Sequence, residues 1–181
     1  MTDRGAADSA IRSVVARHQR LDILIANAGI THRAQLADWT SEAWDTVLAA
    51  NLSACFFLAQ SAAAPMRSQG HGRIIFTTSV VGILGRRTVH AYAASKSGLA
   101  GLARSLAAEL GDYGITCNAI APGWFETELT APLVADKAFV ARINDRIPLG
   151  RWWKATRSCR CRRLPGIRRR VLHHRTTDHC G

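Results

Sequence analysis

The chain has 181 residues, 48% of them hydrophobic, and a formal net charge of +11. That length suits one globular domain with a real core, and no run approaches the roughly 18 uninterrupted apolar residues of a membrane span. The opening MTDRGAADSA lacks the apolar stretch of a secretory signal, so a cytoplasmic setting is expected. The charge is uneven. Residues 1–150 hold 14 Lys and Arg against 12 Asp and Glu, whereas residues 151–181 hold 10 against one. Basicity therefore belongs to the end of the chain and says nothing about the body. Cys55 and Cys117 lie among apolar residues and read as small buried hydrophobes, with no sign of a disulfide framework.

In chain order, residues 5–19 place Ile11, Val14 and Val15 at helical spacing. LDILIANAG (21–29) is a short apolar run ending in small residues, the pattern of a buried parallel strand that meets a loop. A long helix is predicted over 41–67, with Thr40, Ser41 and Glu42 offering capping chemistry at its start. GRIIFTTSV (72–80) reads as a second strand, and 90–112 as an Ala- and Leu-rich helix closed by Gly111 or Gly114. GITCNAIAPG (114–123) is a third strand stopped by Pro122-Gly123, followed by a loop and a helix to about 146. Strands alternating with crossovers of this length imply parallel pairing and a three-layer α/β sheet.

YAASK (92–96) sets Tyr92 four residues ahead of Lys96, so the two share one helix face. A free tyrosine has a pKa of about 10, and a nearby ammonium favours the phenolate. The spacing therefore suits a tyrosine general acid/base. A half-buried Tyr beside a solvated Lys is the plainer alternative, but the neighbours argue against it. Ser79 is expected to end the strand before Tyr92, Asn27-Ala28-Gly29 closes the earlier strand, and Pro122-Gly123 closes the later one. Asn51 is a polar residue in the otherwise apolar AANLSACF. Small and polar residues at three strand ends on one sheet edge build a ligand crevice.

These residues resemble the short-chain dehydrogenase/reductase family. ANAG (26–29) is similar to the family's NNAG. Asn51, Ser79, Tyr92 and Lys96 match its catalytic tetrad in order and spacing, and PGWFET (122–127) matches its PGxxxT stretch. The likeness runs from about residue 5 to residue 153. It implies a Rossmann-like, doubly wound parallel sheet and hydride transfer between NAD or NADP and a secondary alcohol or ketone. By the same resemblance Tyr92 carries the hydroxyl proton, Lys96 binds the nicotinamide ribose, Ser79 bonds the substrate oxygen and Asn51 holds a water. Asn27, Ala28, Gly29, Tyr92, Lys96, Pro122, Gly123 and Thr127 form the implied cofactor side. Asn51 as a packing residue and Thr127 as a helix cap remain open alternatives. APGWFETELT followed by RIPLGRW resembles the branch acting on sugar acids such as gluconate, although acyl and steroid reductases share much of this text. The substrate partner is thus a small alcohol or ketone, with self-association expected through helices 41–67 and 90–112, and no membrane or specific nucleic-acid partner.

Two features depart from the family. Its opening strand and TGxxxGxG turn receive the cofactor diphosphate on a helix N-terminus, and no such turn occurs here. The sheet is therefore expected to be incomplete, with the first three strands and the last strand missing, and the chain by itself poorly folded and inactive. A non-catalytic fragment or a basic polyanion-binding protein is the alternative. After residue 153 the text becomes KATRSCRCRRLPGIRRRVLHHRTTDHCG, a basic, non-family tail (154–181) expected to be disordered. Cys159, Cys161, His173, His174, His179 and Cys180 could ligate zinc, but C-x-C departs from the usual spacing, and no metal site is expected. A nucleic-acid arm is a second reading of its arginines. A shifted reading frame is preferred. Permissible codons for residues 163–180, read one base on, can give VFLASDAASYITGQLITA, which resembles the family's final helix and strand.

Overall fold

In the computed structural model the described residues are Arg4–Lys154, so the basic tail apart from Lys154, and the readings placed on it, lie outside them. Two compact units divide the chain, the first running through Ala121 and the second beginning at Pro122.

The first unit is a parallel α/β layer. Helix α1 (Arg4–His18) leads into strand β1 (Ile23–Ala26). A helical run from Ser41 to Gln69 follows, made of α2 (Ser41–Leu48), a π-turn (Ala49–Ser53) and α3 (Ala54–Gln69). Strand β2 (Gly72–Thr77), the short helix α4 (Val80–Leu84), helix α5 (His90–Leu110) and strand β3 (Ile115–Ile120) complete it. The sheet order is β1-β2-β3, with Ala26 opposite Phe76 and Phe76 opposite Ala119. Parallel neighbours need a crossover of a dozen residues or more, and the two long helical stretches supply it.

Local chemistry explains the element boundaries. The Thr40 hydroxyl accepts from the Ala43 amide at 3.1 Å and starts α2. The α3 helix ends on Gly70 in the left-handed region, with φ 65°. Strand β2 buries alternate residues, Gly72, Ile74 and Phe76, as the period-2 pleat requires. Ile74 and Phe76 join Met66, Leu99 and Ile115 in the dense part of the core. The run Ser41–Gln69 is long and apolar enough by composition to cross a bilayer, which the sequence reading did not anticipate. Cys55, Ala59, Ala62 and Met66 are instead buried in the core shared with the sheet.

The second unit carries a two-stranded parallel pair, β4 (Phe125–Glu126) and β5 (Trp153–Lys154), with helices α6 (Ala131–Val134) and α7 (Lys137–Asn144) between them. Its own small core gathers Phe139, Ile143 and Trp152, with Trp124 packed against it. The Trp124 and Trp152 ring centroids are 5.1 Å apart.

Candidate active site

All three strands of the first unit run the same way, so the loops after Ala26, Thr77 and Ile120 leave from one carboxyl edge. Ligands of open α/β sheets bind in the crevice at that edge. Asn27, Ala28 and Gly29 form the loop leaving β1, and Asn27 is exposed there.

Lys96 lies on α5 and is almost wholly buried, at 4% exposure. Its ammonium donates to the carbonyl of Thr77, the last residue of β2, at 2.7 Å. An ammonium has three donors, and this bond uses one. Burial pushes the Lys96 pKa below the ordinary lysine value, with the Cys55 thiol acting in the opposite sense. Burial also pushes the Cys55 thiol up, opposed by Lys96. Gly29 leaves room for this ammonium: a Cβ there would lie 3.3 Å from Lys96 Nζ and 3.2 Å from Asn51 Oδ1. Tyr92 is half-buried one turn earlier, its ring centroid 5.7 Å from Lys96 Nζ.

The depressed Lys96 value makes stability pH-dependent. Folded Lys96 loses its proton at lower pH than the unfolded chain does, so the unfolded state binds more protons between that depressed value and about 10.4. Stability therefore rises with pH through this window, and the penalty for the buried ammonium is full below it. The gap in melting temperature between wild type and Lys96→Met is expected to change as pH climbs toward about 10.4, in the direction that favours wild type. A gap that stays constant with pH would contradict the burial argument.

Asn51 is fully buried inside the π-turn. Its Oδ1 accepts from the Ile30 amide at 2.8 Å, and its Nδ2 donates to the Ile30 carbonyl at 2.9 Å and to Ser95 Oγ at 3.1 Å. Ser95 Oγ donates in turn to the Tyr92 carbonyl at 2.8 Å. Both Asn51 donors are thus committed to tying the loop after β1 to α5. A single π-turn inside an α-helix is a frequent mark of a functional site.

Ser79 stands two residues beyond the end of β2, and not at the strand end where the sequence reading put it. Thr78 makes the last bonds toward β3, its amide and hydroxyl both donating to the Ile120 carbonyl. Ser79 then becomes the N-cap of α4, its Oγ accepting from the Val81 amide at 3.1 Å. The hydroxyl proton of a capping serine stays available as a donor. Helix α4 rests directly on α5 through Gly82: a Cβ there would lie 2.9 Å from the Ser97 amide and 3.1 Å from Lys96 Cβ. The loop after β1, the Ser79 turn and the Tyr92–Lys96 helix are thereby held together.

Pro122, Gly123 and Thr127 belong to the second unit. Thr127 sits at the start of a 3-10 turn (Glu128–Thr130), where its amide donates to Thr130 Oγ1 at 2.9 Å and its own hydroxyl lies 3.2 Å from the same atom. In this conformation Thr127 makes local capping contacts.

Arg33 escaped the sequence reading. It lies half-buried on the loop after β1, and partial burial pushes its guanidinium below the ordinary arginine value, with Tyr92 acting in the opposite sense. Arg33 has no ion-pair partner among the described residues. The only hint in the sequence is its position four residues beyond Gly29, in a stretch with no periodicity.

A parallel α/β sheet with a buried lysine one helical turn from a tyrosine at its carboxyl edge is the arrangement that the family resemblance implied. The family description "short chain dehydrogenase" matches residues 1–138, and the chain belongs to that family. Among the relatives, the gluconate 5-dehydrogenase of Gluconobacter oxydans is 36% identical over 84% of this chain and 59% of its own length. The 3-oxoacyl-(acyl-carrier-protein) reductase of Escherichia coli is 39% identical over 83% of this chain and 61% of its own. The crystal structure of a gluconate 5-dehydrogenase from Burkholderia cenocepacia, in complex with NADP and tartrate, superposes with a TM-score of 0.82 at 39% identity. It covers 84% of this chain and 60% of that one. The chain thus spans about three fifths of the relatives it matches.

Proposed function

We propose that the first unit carries the proton-handling half of a short-chain dehydrogenase active site, which acts on a secondary alcohol or its ketone, with a sugar acid such as gluconate as substrate. The observation that carries this reading is the Lys96 ammonium, buried and held by one strand carbonyl, with further N–H groups beside the open face of Gly29. Those donors fit the ribose hydroxyls of a nicotinamide nucleotide. When bound, NAD or NADP supplies the hydride acceptor or donor.

The residues of the chain do the rest. Tyr92, whose hydroxyl makes no hydrogen bond among the described residues, is free to exchange the substrate's hydroxyl proton. Positioned proton transfer of this kind contributes roughly 10²–10⁴ in rate. Ser79 donates its hydroxyl proton to the substrate oxygen and so fixes the reacting carbon. Asn51 fixes the loop that carries Gly29 through both polar groups of Ile30. Asn27 and Ala28 complete the cofactor side of the first unit in this proposal; for Pro122, Gly123 and Thr127, in the second unit, a cofactor role rests on the family pattern alone. The diphosphate end is not matched by a glycine-rich turn in these 181 residues, so residues outside them are required to hold it.

Arg33 selects the substrate class. A half-buried guanidinium on the loop after β1, with no ion-pair partner among the described residues, favours a carboxylate-bearing polyol over a neutral acyl ketone. Gluconate dehydrogenases among the relatives support the same choice. The free buried thiols Cys55 and Cys117 agree with a reducing, cytoplasmic setting. Half-exposed Trp44 and Phe56 on the 41–69 run support self-association through that face. The reading is tested by following NADPH absorbance with D-gluconate in two proteins. One is the chain alone, expected to be weak or silent; the other is a fusion carrying the preceding aligned segment of the Burkholderia relative, expected to be active. A folded but silent fusion would refute the assignment.

A further inference from the structure

One peptide unit, between Thr77 and Thr78, decides where the Lys96 ammonium is held. Strands β1 and β2 pair with Ala26 opposite Phe76, and the Arg73 amide donates to the Asp22 carbonyl at 2.9 Å. A parallel ladder repeats every two residues, so the Thr77 carbonyl would take the Ala28 amide if β1 continued. Strand β1 ends at Ala26. The Lys96 ammonium fills that place instead, donating to the Thr77 carbonyl at 2.7 Å. Gly29 leaves it the room, since a Cβ there would come within 3.3 Å of Lys96 Nζ.

The direction of that carbonyl is set from the other side. A trans peptide is planar, so its C=O and N–H point opposite ways, and no cis peptide occurs among the described residues. The Thr78 amide, in the same peptide unit as the Thr77 carbonyl, donates to the Ile120 carbonyl of β3 at 2.8 Å. The Thr77 carbonyl therefore faces away from β3. An amide bond alone lets the peptide plane rock about its two flanking torsions. The Thr78 hydroxyl donates to the same Ile120 oxygen at 2.9 Å, so one residue is fastened to a single point through both its nitrogen and its side chain. Thr78 is 6% exposed, which keeps water from competing for these bonds.

We propose that Thr78 is a positioning residue for Lys96: its hydroxyl locks the Thr77–Thr78 peptide plane, and so aims the carbonyl that holds the ammonium and leaves the other N–H groups for a ligand. The proposal rests on the reading of Lys96 as a donor to the nicotinamide ribose, and it adds a residue that never touches cofactor or substrate. It commits to the hydroxyl. A valine there would keep the branched shape and the amide bond to β3 without locking the plane.

The test uses the full 181-residue chain and needs neither cofactor nor turnover. The chain has three lysines, of which Lys137 and Lys154 are exposed and Lys96 is buried. Reductive methylation with formaldehyde and a borane is followed at each lysine by peptide mass spectrometry, and amide exchange in β2 reports global opening. In wild type, Lys96 is expected to react far more slowly than Lys137. In Thr78→Val, Lys96 methylation should quicken roughly three- to tenfold, the local opening that one lost hydrogen bond permits. Lys137 and β2 exchange should stay unchanged. Thr78→Ser, which keeps the hydroxyl and loses the methyl, should match wild type. If Thr78→Ser leaves Lys96 as reactive as Thr78→Val does, the effect belongs to the methyl and the proposal is overturned. If β2 exchange quickens by the same factor as Lys96 methylation, the hydroxyl serves stability alone and the positioning role falls. Lys96 still protected in a folded Thr78→Val would also overturn that role and leave the Lys96 reading standing. Lys96 as reactive as Lys137 in wild type would overturn the Lys96 reading, and the proposal with it.

Discussion

Tyr92→Phe, made in the fusion with the Burkholderia segment, is expected to lower NADP-linked turnover of D-gluconate by roughly 10²–10⁴ while cofactor affinity stays unchanged. The ring keeps its place at 5.7 Å from the Lys96 ammonium, so packing and the fold survive. What disappears is the hydroxyl that exchanges the substrate proton. Because the lost interaction belongs to the transition state, kcat and kcat/KM should fall together. Steady-state kinetics with a fluorescence titration of NADPH reads both quantities. Turnover within about threefold of the parent, far short of the general acid/base range, would end the tyrosine mechanism.

Asn51→Leu should give the largest loss of stability at the site. Leucine has the same branched side-chain shape but cannot serve the Ile30 amide, the Ile30 carbonyl or the Ser95 hydroxyl. Buried groups left without a partner cost about 1–3 kcal/mol each. Ile30 is partly exposed and can turn to water, so a total of about 3 kcal/mol is expected. For a chain of this size that corresponds to roughly 2–4 °C per kcal/mol in melting temperature. The loop holding Gly29 should loosen as well, and amide exchange at residues 28–30 should quicken. A melting temperature unchanged by Asn51→Leu would show that water already serves these groups.

The two variants probe different links. Tyr92 acts on the reacting atoms, whereas Asn51 acts through the loop it ties to α5. A fusion that is stable with Tyr92→Phe yet inactive, and unstable with Asn51→Leu yet partly active, is the pattern expected from the geometry.

Several features were legible in the sequence because they depend on near neighbours. The 3.6-residue period put Tyr92 and Lys96 on one face of α5, and the helix observed, His90–Leu110, begins where that reading placed it. The apolar runs at 21–29, 72–80 and 114–123 each contain the strand found, β1, β2 and β3, although every strand is shorter than its run. Strands end where pairing partners end, and that is a property of the sheet. Ser79 shows the consequence: β2 stops at Thr77, so Ser79 is free to cap α4.

Other features arise only when distant segments meet. The π-turn at Ala49–Ser53 interrupts what the periodicity presents as one continuous helix. It surrounds a side chain whose partners, Ile30 and Ser95, are 21 and 44 residues away. The parallel pairing of Phe125 with Trp153, which builds the second unit, spans the loop and helix that the sequence reading left without a strand. The joining of His32, Ala34, Trp44 and His90 by Trp39 leaves no periodic trace in an irregular loop. Composition, period and spacing in this sequence determined an α/β sheet and a tyrosine–lysine pair on one helix face, since both follow from local geometry. What ties the loop after β1 to that helix was decided only by the tertiary structure, because the Asn51 contacts join segments far apart in the chain.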